Sequence, residues 1–195
     1  RAVVMSISNK FRTAIGEHNF FGFRWIIEKF NDIDTERVKE IGVERACAEW
    51  MLRCGGTVRF NSYGEDITDY NSLIRRTAVI DPRKAEEQVF LQATHAVNAS
   101  ITSRGCRHYE GLSQLSEAQF VGCKNLEDEG LKTFVHAVGP LVKTLEVAEC
   151  RYITDEGILY LTKCSNLESL ILSGLSRVKD PQSLHDKLKS ALPGT

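Results

Sequence analysis

Six cysteines and five histidines are the side chains in this sequence best suited to act as nucleophiles, bases or metal ligands. No two cysteines form the C-x-x-C pair that zinc and redox sites commonly use. Cys106 and His108 are close enough in sequence to share a metal ion, but two such residues are a weak signal and a surface loop is the favoured interpretation. The sequence has no phosphate-binding loop and no nucleophile paired with a base by motif. We therefore expect a protein that is not an enzyme.

Two of the cysteines belong instead to a repeated pattern. Residues 145–155 read L-x-V-x-x-C-x-x-I-T-D, with Cys150 as the anchor of the pattern. Equivalent anchors are Cys123, 27 residues earlier, Leu175, 25 residues later, and Asn98, a further 25 residues before Cys123. Such a period, with leucine-like residues at fixed offsets, is typical of cysteine-containing leucine-rich repeats. The repeat cysteines are thus predicted to be buried, reduced thiols of a non-secreted protein.

Each copy of the pattern predicts a strand before the anchor and a helix after it. Apolar residues stand eight, five and three positions before the anchor, as expected of a strand with one buried face. In three copies they are Leu115, Ala118 and Phe120; Val142, Leu145 and Val147; and Leu167, Leu170 and Leu172. The first copy offers Phe90, Ala93 and His95, a poorer match. Helix starts follow at Asp128, Thr154 and Asp180. The predicted fold class is α/β, a solenoid of about four leucine-rich repeats over residues 89–195.

Residues that alternate with the buried ones predict the concave face of this solenoid. They are mostly polar and include no aromatic side chain: Gln92, Thr94, Glu117, Gln119, Thr144, Glu146, Ser169 and Ile171. Tight interfaces usually depend on aromatic or arginine hot spots, which this face lacks. We therefore predict a weak or multi-site protein contact there, with six candidate partner-binding residues: Glu117, Gln119, Thr144, Glu146, Ser169 and Ile171.

The chain before the repeats divides into three stretches. Residues 1–19 contain no acidic side chain before Glu17, which predicts either a transit-peptide remnant or a disordered leader. Residues 20–60 predict a small helical domain that ends in a strand. Residues 61–88 contain turn signals and predict a connecting surface excursion, or a short helix that the pattern does not locate.

An aromatic segment opens the helical domain. As an amphipathic helix, residues 20–30 would either pack on the repeats or lie in a membrane interface, and core packing is the favoured interpretation. Phe21, Phe23 and Trp25 are the candidate membrane or interface residues. No apolar run approaches the roughly 20 residues that cross a bilayer. The net charge of −1 argues against a dominant nucleic-acid surface.

The block Ala46–Gly55, A-C-A-E-W-M-L-R-C-G, is more distinctive than the repeats. Together with residues 30–60, 69–71, 110–112 and 166–179, it resembles the family of mitochondrial ATP synthase coupling factor B, also called subunit s. The distal membrane arm assembly component 2-like protein is a close relative in that family. The resemblance covers most of the chain after residue 20.

The resemblance implies a non-catalytic coupling factor, peripheral to the inner mitochondrial membrane on its matrix side. It implies binding to the membrane sector of ATP synthase, an effect on proton conduction, and no nucleic-acid or small-molecule partner. It also implies a Mg²⁺ ion held partly by main-chain carbonyl groups, which map to Gly55 and Val97; oxygen donors suit this hard cation. Mammalian members carry a C-x-C pair where this chain has Val121 and Cys123, so no mechanism that needs two neighbouring thiols is expected here.

Two other interpretations stay open. Relatives of the family overlap in name and architecture with assembly factors for respiratory complex I. An F-box-type ubiquitin-ligase adaptor also has cysteine-containing repeats after a small helical domain, and residues 33–54 would then serve as the F-box. The basic leader and the block Ala46–Gly55 favour the coupling factor over this adaptor.

Overall fold

The computed structural model describes residues 24–80, 84 and 87–192. Residues 1–19, Phe21 and Phe23 therefore lie outside the described residues. The helices are α1 (Arg24–Phe30), α2 (Thr35–Ile41), α3 (Val43–Arg53), α4 (Tyr70–Thr77), α5 (Asp128–Val138), α6 (Asp155–Tyr160) and α7 (Pro181–Ala191), with 3-10 helices at Gly105–Tyr109 and Leu161–Lys163. The strands are β1 (Thr57–Phe60), β2 (Leu91–Val97), β3 (Glu117–Val121), β4 (Thr144–Ala148) and β5 (Ser169–Ser173).

Five strands form one mixed sheet in the order β1-β2-β3-β4-β5. β1 is antiparallel to β2, whereas β2 to β5 are parallel neighbours. Parallel neighbours need a crossover connection, and each crossover here carries a helical element. The elements pack in sequence, α5 on Gly105–Tyr109, α6 on α5 and α7 on α6. The fold class is α/β; its assignment to the leucine-rich repeats stays a prediction.

Local signals in the sequence explain several element boundaries. The predicted helix after Gly42 is α3, and Gly55 follows it with a φ of 93° that few other residues adopt. Thr154 accepts a hydrogen bond from the Glu156 backbone at 3.2 Å and so caps α6 as predicted. The stretch 61–88 contains α4, the short helix that the sequence pattern did not locate.

The first predicted anchor is wrong by one residue. Asn98 is exposed and has a φ of 52°, which places it in the turn before the anchor and not at the anchor. Its counterparts in the later copies are Gly122, Glu149 and Gly174, all with φ between 55° and 63°. Asparagine tolerates this left-handed conformation, so the turn suits it. Ala99, which is 2% exposed, occupies the anchor position.

The same one-residue error reverses the predicted assignment of side chains to the two faces of β2. Thr94 pairs with Ala118 of β3 and is fully buried, where its hydroxyl lies 3.1 Å from the Tyr109 hydroxyl. His95, predicted to be a buried-face residue, pairs with Gln119 and takes the place on the polar face that was assigned to Thr94. Side chains in a strand alternate with a period of two, so one residue of slip reverses both assignments.

An aromatic cluster joins the helices to the sheet. Phe134 lies 4.8 Å from Tyr109 and 5.0 Å from Phe120, and both ring pairs are nearly perpendicular. Trp50 of α3 meets Tyr109 edge-on at 5.6 Å. Such edge-to-face pairs stabilise a core beyond simple burial. One core therefore runs from α3 through the crossover segment to the second copy of the pattern.

Candidate functional site

The six predicted partner-binding residues lie on one face of the sheet. Cross-strand pairing aligns them as two rows, Glu117–Thr144–Ser169 and Gln119–Glu146–Ile171. Because strands are about 4.8 Å apart, each row is roughly 10 Å long. Exposure increases along the rows, and Ile171 on β5 is 49% exposed. The structure thus brings the predicted residues together; their contact with a partner stays a prediction.

A charged network lies at the β1 end of this face. His95 Nε2 is 3.0 Å from a Glu117 oxygen, and its Nδ1 is 3.4 Å from a carboxylate oxygen of Asp66. Arg59 forms ion pairs with both carboxylates, at 3.2 Å for Asp66. Burial opposes the charge on Glu117, but hydrogen bonds from Arg59 and His95 outweigh it and lower the pKa of this carboxyl. Glu117 is therefore held by internal contacts.

Glu146 differs from Glu117 because it is available to a partner. It pairs with Gln119 and Ile171 across the sheet and is half-buried. Within the described part of the chain, no side chain forms an ion pair or hydrogen bond with its carboxylate. Among the predicted acidic residues, Glu146 is the one that a partner's basic group would meet.

The two predicted metal-binding positions lie at one end of the β1–β2 pair. Thr57 pairs antiparallel with His95, and continuing this register by two residues sets Gly55 opposite Val97. A Cβ placed on Gly55 would meet no atom within 4 Å, and Val97 is 46% exposed. The described residues contain no group of three His, Cys, Asp or Glu side chains that could hold a metal. Main-chain carbonyl oxygens and water are ligands that suit hydrated Mg²⁺, so an ion held at Gly55 and Val97 stays a prediction.

The repeat cysteines have a structural role in the sheet. All six cysteines are buried free thiols. Cys123 donates to the carbonyl oxygen of Ala96 at 3.0 Å, and Cys150 donates to that of Phe120 at 3.3 Å. Each thiol thus binds a carbonyl of the preceding strand. A hydrogen bond with Cys150 and burial raise the pKa of Cys123, which disfavours the reactive thiolate.

The prediction of a surface loop at Cys106 and His108 is wrong. Both side chains are buried because Gly105–Tyr109 forms a 3-10 helix that turns them toward the core and leaves Arg107 exposed. The imidazole of His108 stacks on Trp50 with ring centroids 4.7 Å apart and lies 2.9 Å from the Gly105 carbonyl oxygen. Burial lowers the pKa of His108 to about 4, so its ring is neutral at neutral pH.

Asn31 connects the helices to the first strand-to-helix bend. Its amide nitrogen donates to the carbonyl oxygens of Ile27 at 2.8 Å and Ser100 at 3.0 Å. Its oxygen accepts from Trp50 Nε1 at 3.1 Å and from the Thr102 backbone at 3.0 Å. The Cys54 thiol also donates to this oxygen at 3.9 Å, so the fully buried amide has two donor and three acceptor contacts. Sequence reasoning missed it because a single asparagine carries no motif.

Glu44 makes a second connection of the same kind. Its carboxylate accepts from the Leu91 backbone at 2.8 Å and from the backbone and hydroxyl of Ser113, each at 3.2 Å. Burial raises the pKa of Glu44, and these hydrogen bonds partly offset that shift. The contact fixes α3 against the start of β2. We refer to the contacts of Asn31 and Glu44 together as the junction.

Trp25 is the one predicted membrane-contact residue that the structure describes. It is 64% exposed, whereas Ile27 on the same helix is buried. The favoured core packing therefore holds for Ile27 and is wrong for Trp25. No helix in the described ranges has the length and apolar character needed to cross a membrane.

Fold and site together define an α/β protein with a mixed five-stranded sheet and a polar sheet face. No family model matches the chain. It is 33% identical to the mitochondrial ATP synthase subunit s of Homo sapiens over 171 residues, which cover 87% of this chain and 82% of the relative. The same protein of Mus musculus is 32% identical over 173 residues, covering 88% and 82%. The chain therefore belongs to the family of mitochondrial ATP synthase subunit s, or coupling factor B.

Proposed function

We propose that this protein is a non-catalytic accessory factor of mitochondrial ATP synthase. It associates with the membrane sector of the enzyme, peripherally on the matrix side of the inner membrane, and supports or regulates proton conduction and energy coupling. Family membership carries this proposal, because relatives named as ATP synthase subunit s match 87% of the chain. Burial of the thiols and of His108 is consistent with a role in binding.

The polar sheet face is the proposed contact surface. The pairing steps of 24, 27 and 25 residues between Thr94, Ala118, Leu145 and Leu170 support its interpretation as the concave face of leucine-rich repeats. Solenoids of this kind bind partners across several repeats at once. Glu146 would supply the central negative charge, and Ile171 an exposed apolar contact on β5.

Mg²⁺ bound beside Gly55 and Val97 is a further part of the proposal. When bound, the ion would link the turn after α3 to the end of β2. A titration of the isotope-labelled protein with MgCl₂, followed by the amide signals of residues 54–56 and 97–99, tests it. Saturable shifts confined to these signals are expected, and CaCl₂ is the matched control. Signals that do not move, or that move across the whole protein, would contradict Mg²⁺ binding at Gly55 and Val97.

Proximity labelling in intact mitochondria tests the association. A labelling enzyme fused to the C-terminus should mark subunits of ATP synthase above all other neighbours. Labelling dominated by complex I subunits would favour the assembly-factor interpretation, and labelling of a ligase scaffold would favour the F-box one. Either result would overturn the proposal.

Proton conduction is tested separately. Inner-membrane particles depleted of the endogenous relative should leak protons, and adding the purified protein should reduce that leak. A second addition after ATP synthase has been blocked with a membrane-sector inhibitor is the control. Protein that binds ATP synthase without changing the leak would leave the association intact and exclude the conduction role.

A further inference from the structure

A polar groove lies where α1 meets the bends that follow the strands. It has a volume of about 430 Å³, and its lining includes three basic residues, Arg24, Arg104 and Arg151, and two acidic ones, Glu28 and Glu127. Tyr152 also lines the groove. None of these residues belongs to the polar sheet face.

Tyr152 contacts two arginines. The guanidinium groups of Arg151 and Arg177 each lie 4.7 Å from the centre of its ring. In the described part of the chain, neither arginine has a carboxylate within ion-pair distance, and the same is true of Arg24. Cation–π contacts orient the two groups beside one ring without neutralising them. Two positive charges in one neighbourhood favour a bound anion.

The remaining charges leave the groove positive. Arg104 Nε lies 2.9 Å from Asp32 Oδ1, an ion pair whose geometry is not that of a hydrogen bond. Glu28 accepts a hydrogen bond from the Thr102 hydroxyl at 3.3 Å and is half-buried. Three arginines line the groove and Arg177 lies beside it at Tyr152, so four guanidinium groups meet three carboxylates, those of Glu28, Glu127 and Asp32. Guanidinium groups of this kind are suited to phosphate oxygens.

An exposed tryptophan adjoins this positive groove. Trp25 follows Arg24 directly in α1 and is 64% exposed. The indole ring is apolar with one polar edge, and tryptophan is enriched at the headgroup level of bilayers. A protein partner would also accept an aromatic residue, but an exposed tryptophan beside unpaired arginines matches an anionic lipid surface most closely.

We propose that the arginine groove, defined by Arg24, Arg104, Arg151 and Arg177, binds the phosphate groups of anionic phospholipids while Trp25 enters the headgroup region. The inference rests on the proposed peripheral membrane location and specifies its lipid class and contact residues. It does not depend on contact with ATP synthase.

Vesicle binding by the full chain tests the proposal. Vesicles of phosphatidylcholine with about 30% phosphatidylglycerol are compared with vesicles of phosphatidylcholine alone. The chain has two tryptophans and Trp50 is fully buried, so a blue shift of the emission on binding reports on Trp25. We expect binding and a blue shift with the anionic vesicles only, and both should weaken as salt is raised.

A pair of double variants with equal charge change locates the surface. Arg151→Gln with Arg177→Gln should weaken binding to the anionic vesicles about 30-fold, since each basic residue near such a surface contributes roughly fivefold. The control is Lys187→Gln with Lys189→Gln, two exposed lysines of α7, and should bind like the wild type. Thermal unfolding checks that all variants fold. If the double arginine variant does not fold, Arg24→Gln is used in its place.

Three results would overturn the proposal. One is unchanged binding in the arginine variant, and another is an equal loss in both double variants, which would indicate unspecific charge attraction. The third is binding of soluble polyglutamate or inorganic phosphate without any binding of anionic vesicles, which would assign the groove to an acidic protein segment or a free anion. The vesicles contain no ATP synthase, so failure here leaves the proposed function untouched.

Discussion

The junction and the C-terminal end of the sheet close the same core in different ways. At the junction, Asn31 is fully buried and Glu44 is half-buried, and their long-range hydrogen bonds reach across 47 to 71 residues of sequence. At the other end, Leu170 and Leu172 of β5 are half-buried, and Leu172 lines an apolar cavity of about 340 Å³ beside α7. Repeating units bury their core through neighbours on both sides, and among the described residues β5 has a strand neighbour on one side only. Stability should therefore be concentrated at the junction.

The largest expected effect comes from breaking the junction itself. Asn31→Ala leaves the buried donors of Trp50 and Thr102 without an acceptor and should lower the free energy of unfolding by about 4 kcal/mol. Asn166→Ala is the matched change at the surface, where the amide donates to the Pro140 carbonyl at 2.6 Å, and should lower it by less than about 1 kcal/mol. Urea unfolding measures both. An equal loss of unfolding free energy in both variants would mean that the junction stabilises the protein no more than the surface contact does.

Equivalent leucines on β4 and β5 sharpen the comparison. Leu145 is fully buried and pairs with Leu170, which is half-buried. Leu145→Ala should cost about 3 kcal/mol through lost packing and a cavity, and Leu170→Ala about 1 kcal/mol. The two variants differ only in their place along the sheet. A Leu170 variant as damaging as the Leu145 variant would show that the C-terminal end is closed as tightly as the centre.

Acid should weaken the core beside the junction through His108, which stacks on Trp50. The pKa of His108 in the folded protein is about 4, below the ordinary value of 6.5, so the unfolded chain binds the proton more readily. The stabilisation is complete above pH 6.5 and declines as the pH falls towards 4, by roughly 3 kcal/mol. His108→Gln removes this titration. Unfolding experiments at several pH values should show a steeper decline for the wild type than for the variant, and parallel declines would refute the assignment.

The smallest expected effect on stability is at the polar sheet face. Glu146→Lys changes a carboxylate without an internal partner and should alter the free energy of unfolding by less than about 0.5 kcal/mol. Glu117→Lys breaks the contacts with Arg59 and His95 and should destabilise more. Thermal unfolding compares the two. Equal destabilisation would mean that Glu146 has a structural role of its own.

The regular part of the fold was predictable because alternation is a local signal. The strand residues around Leu145 and Leu170 and the six face residues followed from a period of two and a repeat in the twenties. The first copy failed because Asn98 resembles an anchor by spacing, whereas its backbone conformation places it in the turn. A rule based on spacing cannot tell the turn position from the anchor position when one copy is offset from the others by one residue.

The junction could not be predicted in the same way. Asn31, Ser100 and Thr102 are distant in sequence, and their contacts depend on how α1 and α3 pack against the first bend. The block Ala46–Gly55 identified the family, and the structure explains its character: Trp50 binds Asn31, and the carbonyl of Cys54 accepts from the Ser100 backbone at 2.8 Å. The segment that distinguishes the family thus forms part of the junction, which the repeats alone do not contain.

The most direct test of the proposed function is the amount of ATP synthase recovered with the tagged protein from mitochondria. The wild-type protein should recover the complex, and Glu146→Lys, folded as stably, should recover several-fold less, since one interface charge is reversed. Lys163→Glu, an exposed residue away from the polar sheet face, reverses charge as the control and should recover as much as the wild type. Failure of the wild-type protein to recover ATP synthase would contradict the proposed function, and equal recovery by Glu146→Lys would contradict the assigned contact surface.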